Sequence, residues 1–492
     1  MVAEGEAIHV VFFPLMAHGH MIPLFDVARL FAARGVKATL ITTPANAPVF
    51  TKSLANKIDL EVIPFPSEQV GLPAGVENFE YATGTDTLEK FLGALRLLES
   101  PVEGVLGRLE PRPRCIVSDL FLPWTADVAG RLGIPRLTFH GSGYFGMAVS
   151  DAMRKHRPFA GVEDEDEEFV VPGVPGEVRL TRRKTSPQLK AAEEKQSGIR
   201  ELLKAAFEAE RKSYGVIMNS FNELEPDYAH HYRNVMGIRA WSIGPVSLCN
   251  RSIGEKATRG KKAAIDEHEC LRWLDSKPPN SVVYICFGSI TNMSTPQLRQ
   301  IALALESSRQ NFIWVVRRPA EAEEEEEWLP KGFEDRTRGR GLVILGWAPQ
   351  VMILDHAATG TFLTHCGWNS TLEGISTGVN MVTWPVFAEQ FINERLITDV
   401  LRVGVSVGAS QYFDRVVEVA SVGREAVEEA VRRAMVGAEA EEMRGRAAEL
   451  KEMAWKAVEE GGSSFEELSH LLQELRSFDA ARADEYYLTS QC

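Results

Sequence analysis

Two separate stretches of this chain alternate short apolar runs with helix-periodic segments, and that double alternation constrains the fold more than any other feature. In the first stretch, 8–15 is an apolar run of strand length. Residues 23–34 then place Leu24, Val27, Ala28, Leu30 and Phe31 at helical spacing and stop at Gly35. Strand-like segments follow at 37–43, 115–118 and 136–139, with a helical segment at 123–132 between the last two. The second stretch supplies strands at 282–287, 311–316, 342–346 and 361–364, with a helix over 296–307 and another directly after 364. Strands that alternate with helices form parallel sheets, because each helix returns the chain across a face of the sheet and covers it.

Between the two series the pattern changes. Residues 159–195 break into Pro, Gly and charges, helix resumes at 198–214, and a strand follows at 215–219. Residues 246–265 lack apolar periodicity and read as a linker. The expected fold class is therefore α/β: two Rossmann-like β/α/β domains facing across a cleft. The first spans 1–245 and the second 266–471, with the tail 472–492 packing back on the first. A length of 492 residues suits this division, at roughly 150 residues per unit or two large ones.

Composition excludes several functions. The formal charge is −14, from 54 basic and 68 acidic residues, which disfavours non-specific binding to a phosphate backbone; no nucleic-acid partner is expected. Twelve of those acids fall in two runs, 163–168 and 321 with 323–327, and the remainder is nearly neutral at 56 acids against 54 bases. No 18-residue apolar run exists, so no membrane insertion is expected. No basic n-region precedes the first apolar run, so no secretory signal is read there. The six cysteines are scattered without a CxxC pair, which indicates neither a zinc ribbon nor a disulfide framework. A reduced, cytoplasmic protein is expected.

Two motifs invite a function and have blander readings. Gly141-Ser-Gly143-Tyr-Phe-Gly146 matches the GxGxxG dinucleotide fingerprint after a strand, but at the fifth strand rather than the first βα turn. A glycine-rich entry into a helix is the alternative. Asp164-Glu165-Asp166 could hold a divalent cation with hard oxygens, yet it sits in a charge run that reads as a solvated loop.

The dense signal is 347–390. It opens Trp347-Ala348-Pro349-Gln350 and continues His365-Cys366-Gly367-Trp368-Asn369-Ser370-Thr371-Leu372-Glu373. It closes on Glu389-Gln390. A strand ends at Thr364, and Gly367 opens a tight turn into a helix. The unpaired N–H groups and positive dipole end of that helix make an anion site, suited to a pyrophosphate. His365, Asn369 and Ser370 add donors beside it. Ser370 and Glu373 also fit a simple capping box, which leaves His365, Trp368, Asn369, Trp347 and Glu389-Gln390 unexplained.

This 44-residue block resembles the signature of plant family-1 UDP-dependent glycosyltransferases. His9-Val-Val-Phe-Phe-Pro14, Gly19-His20-Met-Ile-Pro23, Ile243-Gly-Pro245, Trp273-Leu-Asp275 and Phe287-Gly-Ser289 extend the resemblance over nearly the whole chain. Residues 247–250 and 265–270 resemble a subgroup that glycosylates flavonoids, steroids and triterpenoids. The resemblance implies the GT-B fold, UDP-glucose as co-substrate, no cofactor and no metal. It implies that Trp347 stacks on uracil with Ala348 adding backbone bonds, and that Gln350 and Glu373 hold the ribose. Ser289, His365, Asn369 and Ser370, with Gly367 at the turn, would bind phosphates; Trp368, Glu389 and Gln390 would face the hexose. Asn380, Thr359 and Thr361 depart from the family pattern at positions that are not ligands. His20 is implied as catalytic base and Asp119 as its partner; a helix cap is the alternative for Asp119. His18 is expected in the pocket. Phe12, Met16, Phe121, Phe139, His140, Ser142, Tyr144 and Phe145 lie near strand ends facing the cleft and are expected to line an apolar acceptor site.

The reaction expected is transfer of glucose to a hydroxyl of a hydrophobic plant small molecule with inversion. C-glycosylation of an aromatic ring, a nicotinamide oxidoreductase and a non-catalytic UDP-sugar binder are the alternatives. A monomer is expected.

Overall fold

The computed structural model describes residues 8–51, 58–82, 84–190, 198–318, 328–413, 416–417 and 421–478. The second acidic run and the tail beyond 478 lie outside the described residues.

The first sheet contains β1 (His9–Phe13), β2 (Lys37–Thr42), β3 (Ile58–Val62), β4 (Cys115–Asp119) and β5 (Arg136–His140). A small antiparallel hairpin, β6 (Glu168–Val170) and β7 (Arg179–Thr181), stands apart from it. β8 (Gly215–Met218) and β9 (Ala240–Ser242) complete the sheet, whose order is β3-β2-β1-β4-β5-β8-β9, all parallel. The second sheet uses β10 (Val282–Cys286), skips the short β11 (Asn292–Met293), and continues with β12 (Asn311–Val316), β13 (Gly341–Leu345), β14 (Thr359–Thr364), β15 (Asn380–Thr383) and β16 (Gly404–Ser406). Its order is β13-β12-β10-β14-β15-β16, again parallel, while β11 pairs with β17 (Val416–Val417). The chain is thus α/β with two Rossmann-like sheets, the GT-B arrangement.

Each sheet reverses its winding at one place, between β1 and β4 in the first and between β10 and β14 in the second. Helices leave a doubly wound sheet in opposite directions at such a switch point and open a crevice at the carboxyl ends of the strands. His20 and Asp119 follow β1 and close β4. Ser289 and His365 follow β10 and β14. The topology alone therefore places both candidate centres.

The linker is more ordered than its composition suggested. It holds a turn of 3₁₀ helix at Val246–Cys249 and a helix at Ile253–Thr258 whose Ser252 and Glu255 form a reciprocal capping box. The carboxyl-terminal helix Ser463–Ser477 returns to the first domain. Its Leu468, Leu471, Leu472 and Leu475 form one stripe at i, i+3, i+4 and i+7 and join the core of the first domain, with the helix against β9. Glu474 pairs with Arg239, and Phe465 lies under the Arg34 guanidinium.

The Asp164–Asp166 cluster has protein partners. Glu165 pairs with Arg182 at 2.9 Å, and Asp166 is held by Arg183 at 2.6 Å. The departures from the family pattern also support one another. Thr361 and Asn380 sit opposite each other on β14 and β15, their side chains hydrogen-bond, and Asn380 Nδ2 donates to the Ala434 carbonyl at 2.9 Å. Thr359 caps the Ile353 carbonyl. No described helix is long and apolar enough to cross a membrane.

Candidate active site

β1 and β4 are neighbours, with Phe13 opposite Ser118, so the loop after one strand meets the end of the other. Helix α1 (His18–Ala33) starts at once after that loop, and its first turn carries His20. His20 Nδ1 lies 2.7 Å from Asp119 Oδ2. Asp119 is fully buried, whereas His20 keeps 24% of its side chain exposed. The other carboxylate oxygen, Oδ1, accepts the Phe121 N–H at 3.0 Å. Asp119 does not cap the following helix, which begins at Thr125. With Nδ1 donating to a carboxylate, the lone pair of the neutral ring sits on Nε2, away from Asp119. Burial pushes the imidazole pKa down, but the charge and hydrogen bond of Asp119, helped by Glu389, outweigh it and the net shift is upward.

The second centre is built by the turn His365-Cys366-Gly367, where Cys366 takes φ 64°. Gly367 is the extended N-cap of the helix Trp368–Thr377, and no side chain caps it. The capping box foreseen for Ser370 and Glu373 is therefore absent. Ser370 Oγ instead accepts from Gln350 Nε2 at 3.2 Å, and Glu373 Oε2 accepts from the same nitrogen at 2.8 Å. His365 is wedged between two glycines: a Cβ on Gly288 or Gly367 would come within 2.6 or 2.5 Å of its ring. Burial lowers its pKa to about 4, so at neutral pH it is an uncharged imidazole. Ser289 follows Gly288 directly and is half-buried. At the far end of the block, the Trp347 carbonyl accepts the Ala264 N–H at 2.8 Å, and the Ala348 carbonyl accepts the Gln350 N–H at 2.9 Å.

A single proline helps join the centres. Residue 23 would normally donate its N–H to the carbonyl four residues earlier, that of Gly19. Pro23 has no N–H, so this carbonyl is left without its helical donor. Asn369 Nδ2 takes it from across the cleft at 2.6 Å. The helix that carries His20 is thereby tied to the first turn of the helix Trp368–Thr377.

The Trp368 indole N–H donates to the Asn219 carbonyl at 2.7 Å, and the ring is buried against Gly143, where a Cβ would lie 2.4 Å from it. Glu389 interacts with the Ser142 side chain and with the charge of His20, and burial raises its pKa. Gln390 Oε1 accepts the N–H groups of Val386 and Phe387, which shapes the loop before it.

The GxGxxG segment is explained by packing. Gly143 makes room for Trp368, and Gly141 faces His20. The N–H groups of Tyr144 and Phe145, which a dinucleotide phosphate would need, already donate to the carboxylate of Glu225 at 3.2 and 2.8 Å. The nicotinamide reading fails on that geometry.

Several expected acceptor residues lie elsewhere. Tyr144 is fully buried, with its hydroxyl on Ser242 and its ring against Tyr232. His140 is buried in a pair with Glu210. Phe12, Met16, Phe139 and Phe145 have no exposed surface and form core. Both faces of this parallel sheet are covered, and Tyr144 and Phe145 open a helix packed against it, so side chains near these strand ends enter the core on either side. His18 is likewise redirected: it stands 3.1 Å from Glu80 and its ring lies 5.9 Å from that of Trp347. Burial would raise the Glu80 carboxyl, yet His18 and Lys261 hold it down to about 2. Phe121 and Ser142 remain at the site; the Phe121 ring meets His20 edge-on at 5.7 Å. Sequence reading missed Asn219 and Glu225. Asn219 follows β8 directly, at a carboxyl strand end, and that position was the available signal.

Known proteins resemble this chain over nearly its whole length. A family model described as "UDP-glucoronosyl and UDP-glucosyl transferase" matches residues 243–415. Scopoletin glucosyltransferase of Nicotiana tabacum is 50% identical over 96% of this chain and 99% of its own. UDP-glucose flavonoid 3-O-glucosyltransferase 7 of Fragaria ananassa is 50% identical over 96% of each. The crystal structure of Glycyrrhiza uralensis UGT73P12, complexed with glycyrrhetinic acid 3-O-monoglucuronide, superimposes with a TM-score of 0.90 at 38% identity, covering 99% of both chains.

Proposed function

The chain belongs to the UDP-glycosyltransferase family, and from that premise we propose that it transfers glucose from UDP-glucose to a hydroxyl of a phenolic or similarly hydrophobic small molecule, with inversion at the anomeric carbon. One observation carries the reading: the His20–Asp119 pair is held opposite an uncapped helix N-terminus by the Asn369 to Gly19 hydrogen bond. The names of the relatives, a scopoletin and a flavonoid glucosyltransferase, support glucose as the sugar and a phenolic acceptor.

In this mechanism His20 Nε2 removes the acceptor hydroxyl proton as the oxygen attacks the anomeric carbon. Asp119 keeps the proton on Nδ1 and stabilises the imidazolium that forms, as in hydrolase triads. The bond to the β-phosphate oxygen breaks, and UDP leaves with added negative charge. The N–H groups at Gly367–Ser370, the Asn369 and Ser370 side chains, Ser289 and neutral His365 take up that charge, and no metal is required. Trp347 and Ala348 hold the base, and Gln350 and Glu373 the ribose. Trp368, Glu389 and Gln390 shape the sugar end. Phe121 and Ser142 form the acceptor wall nearest the base. A cytoplasmic monomer is the working form in this proposal.

The test is transfer from UDP-glucose to a panel of coumarins, flavonoids, sterols and triterpenoids, with UDP release and product anomer both recorded. β-Glucosides are expected. Absence of UDP release with every acceptor would overturn the proposal.

A further inference from the structure

Between the two domains the linker carries Arg259, which none of the steps above uses. Its side chain is only 11% exposed. Nε donates to Asp26 Oδ2 at 2.8 Å, and Nη1 donates to Glu373 Oε1 at 2.6 Å. Asp26 is buried on helix α1, six residues beyond His20 and so about 9 Å along the same helix. Glu373 sits on the helix that begins at Trp368. A single guanidinium thus joins the helix of the base to the helix of the anion site.

The segment is firmly built. Arg29 bonds Asn250 and Glu255, Lys256 pairs with Asp355 at 2.6 Å, Lys261 pairs with Glu80, and the Ala264 N–H reaches the Trp347 carbonyl at 2.8 Å. Gly260, at φ 90°, lets the backbone pass between Trp347 and Ile22, where a Cβ would lie 2.6 and 2.9 Å from their side chains.

We propose that Arg259 is a positioning residue for the nucleoside end of the donor site, acting through Glu373; this rests on the reading of Glu373 as the ribose carboxylate. Glu373 is buried and must accept from ribose hydroxyls close to an incoming diphosphate. A buried carboxylate keeps its charge only with a partner, and otherwise takes up a proton or turns toward water. Arg259 supplies the charge with one N–H on Oε1, and Gln350 occupies one site on Oε2. Each carboxylate oxygen accepts about two hydrogen bonds, so one site on each remains for the two ribose hydroxyls. Asp26 holds the other edge of the guanidinium, so nucleoside binding in one domain is referred to the helix that bears the base in the other.

The experiment compares wild type, Arg259→Gln, Arg259→Lys, Glu373→Gln and the Arg259→Gln/Glu373→Gln double variant. It reads Kd for UDP by calorimetry, KM for UDP-glucose and kcat at saturating acceptor, with thermal melts to confirm folding. Arg259→Gln should weaken UDP and raise KM about tenfold, the scale of a lost charged hydrogen bond, while kcat changes less than about threefold. Arg259→Lys should recover part of the loss, and the double variant should bind no more weakly than Glu373→Gln alone, as expected of residues that act as one unit. If Glu373→Gln weakens UDP but Arg259→Gln binds it as tightly as wild type or more tightly, the positioning role is refuted and the arginine is a bridge or a plug. If Glu373→Gln leaves UDP binding unchanged, the ribose assignment falls and the proposal falls with it.

Discussion

Replacing Asp119 by asparagine tests the base more sharply than removing the base itself. The two oxygens of Asp119 have different duties: Oδ1 accepts the buried Phe121 N–H, and Oδ2 faces His20 Nδ1. An asparagine must keep its carbonyl oxygen on the Phe121 N–H, so its NH₂ group turns toward His20. Nδ1 then becomes the acceptor, and the ring proton moves to Nε2, the atom that should remove the substrate proton. Reversing the amide would restore the tautomer but would set NH₂ against N–H at a buried site, at a cost of about 1–3 kcal/mol. The imidazolium also loses a charged partner, worth about 1–2 kcal/mol more than a neutral one. Together these raise the barrier by about 4 kcal/mol, roughly a thousandfold in rate. Asp119→Ala removes the charge without imposing a tautomer and should lose only about 10–100-fold. The assay is single-turnover glucoside formation with an acceptor found in the panel, alongside calorimetry with UDP, whose Kd should stay within about twofold in both variants. Retention of more than about a tenth of wild-type rate by Asp119→Asn would refute the tautomer argument. So would an alanine variant slower than the asparagine one.

The raised His20 pKa sets the acid limb of the pH profile. The base must be neutral, so kcat/KM should fall as pH drops through a value above the ordinary 6.5, and Asp119→Ala should shift that limb to lower pH. The same shift stabilises the fold fully below the free-histidine pKa and is lost as pH rises through the folded value, so Asp119→Ala should lower the melting temperature more at pH 5.5 than at pH 8.5. Gly143→Ala would put a methyl 2.4 Å from Trp368 and 2.8 Å from Glu225; overpacking of this kind costs about 1–3 kcal/mol, and a lower melting temperature with weaker UDP-glucose binding is expected. Pro23→Ala returns an N–H donor for the Gly19 carbonyl, which then competes with Asn369; kcat should fall several-fold while the melting temperature holds or rises.

The sequence disclosed the framework because strand–helix alternation is a local pattern, and two series of it predict two parallel sheets. The sequence also showed the turn after β14, from the strand end at Thr364 and from Gly367, whereas His20 and Asp119 were singled out through the family resemblance. What it did not disclose is which side of a strand end each residue takes. Tyr144 and His140 each sit one residue from a glycine of the same short segment, Gly143 and Gly141 respectively, yet both are core, because their partners Ser242, Tyr232 and Glu210 arrive from 70 to 98 residues away.

Contacts between domains were the least legible. Asn219 and Arg259 lie in stretches with no motif, and their partners Trp368 and Glu373 are distant in sequence. A property of one residue pair across a cleft leaves no period for a single sequence to show. Its trace is indirect: a glycine at 143 where an ordinary side chain would collide, and a proline at 23 that withholds an N–H. The proline is the more informative, since inside a helix it costs about 3 kcal/mol, in part by leaving a carbonyl without its donor. Asn369 uses that carbonyl, and the two halves of the active site are in register because one helix was left incomplete.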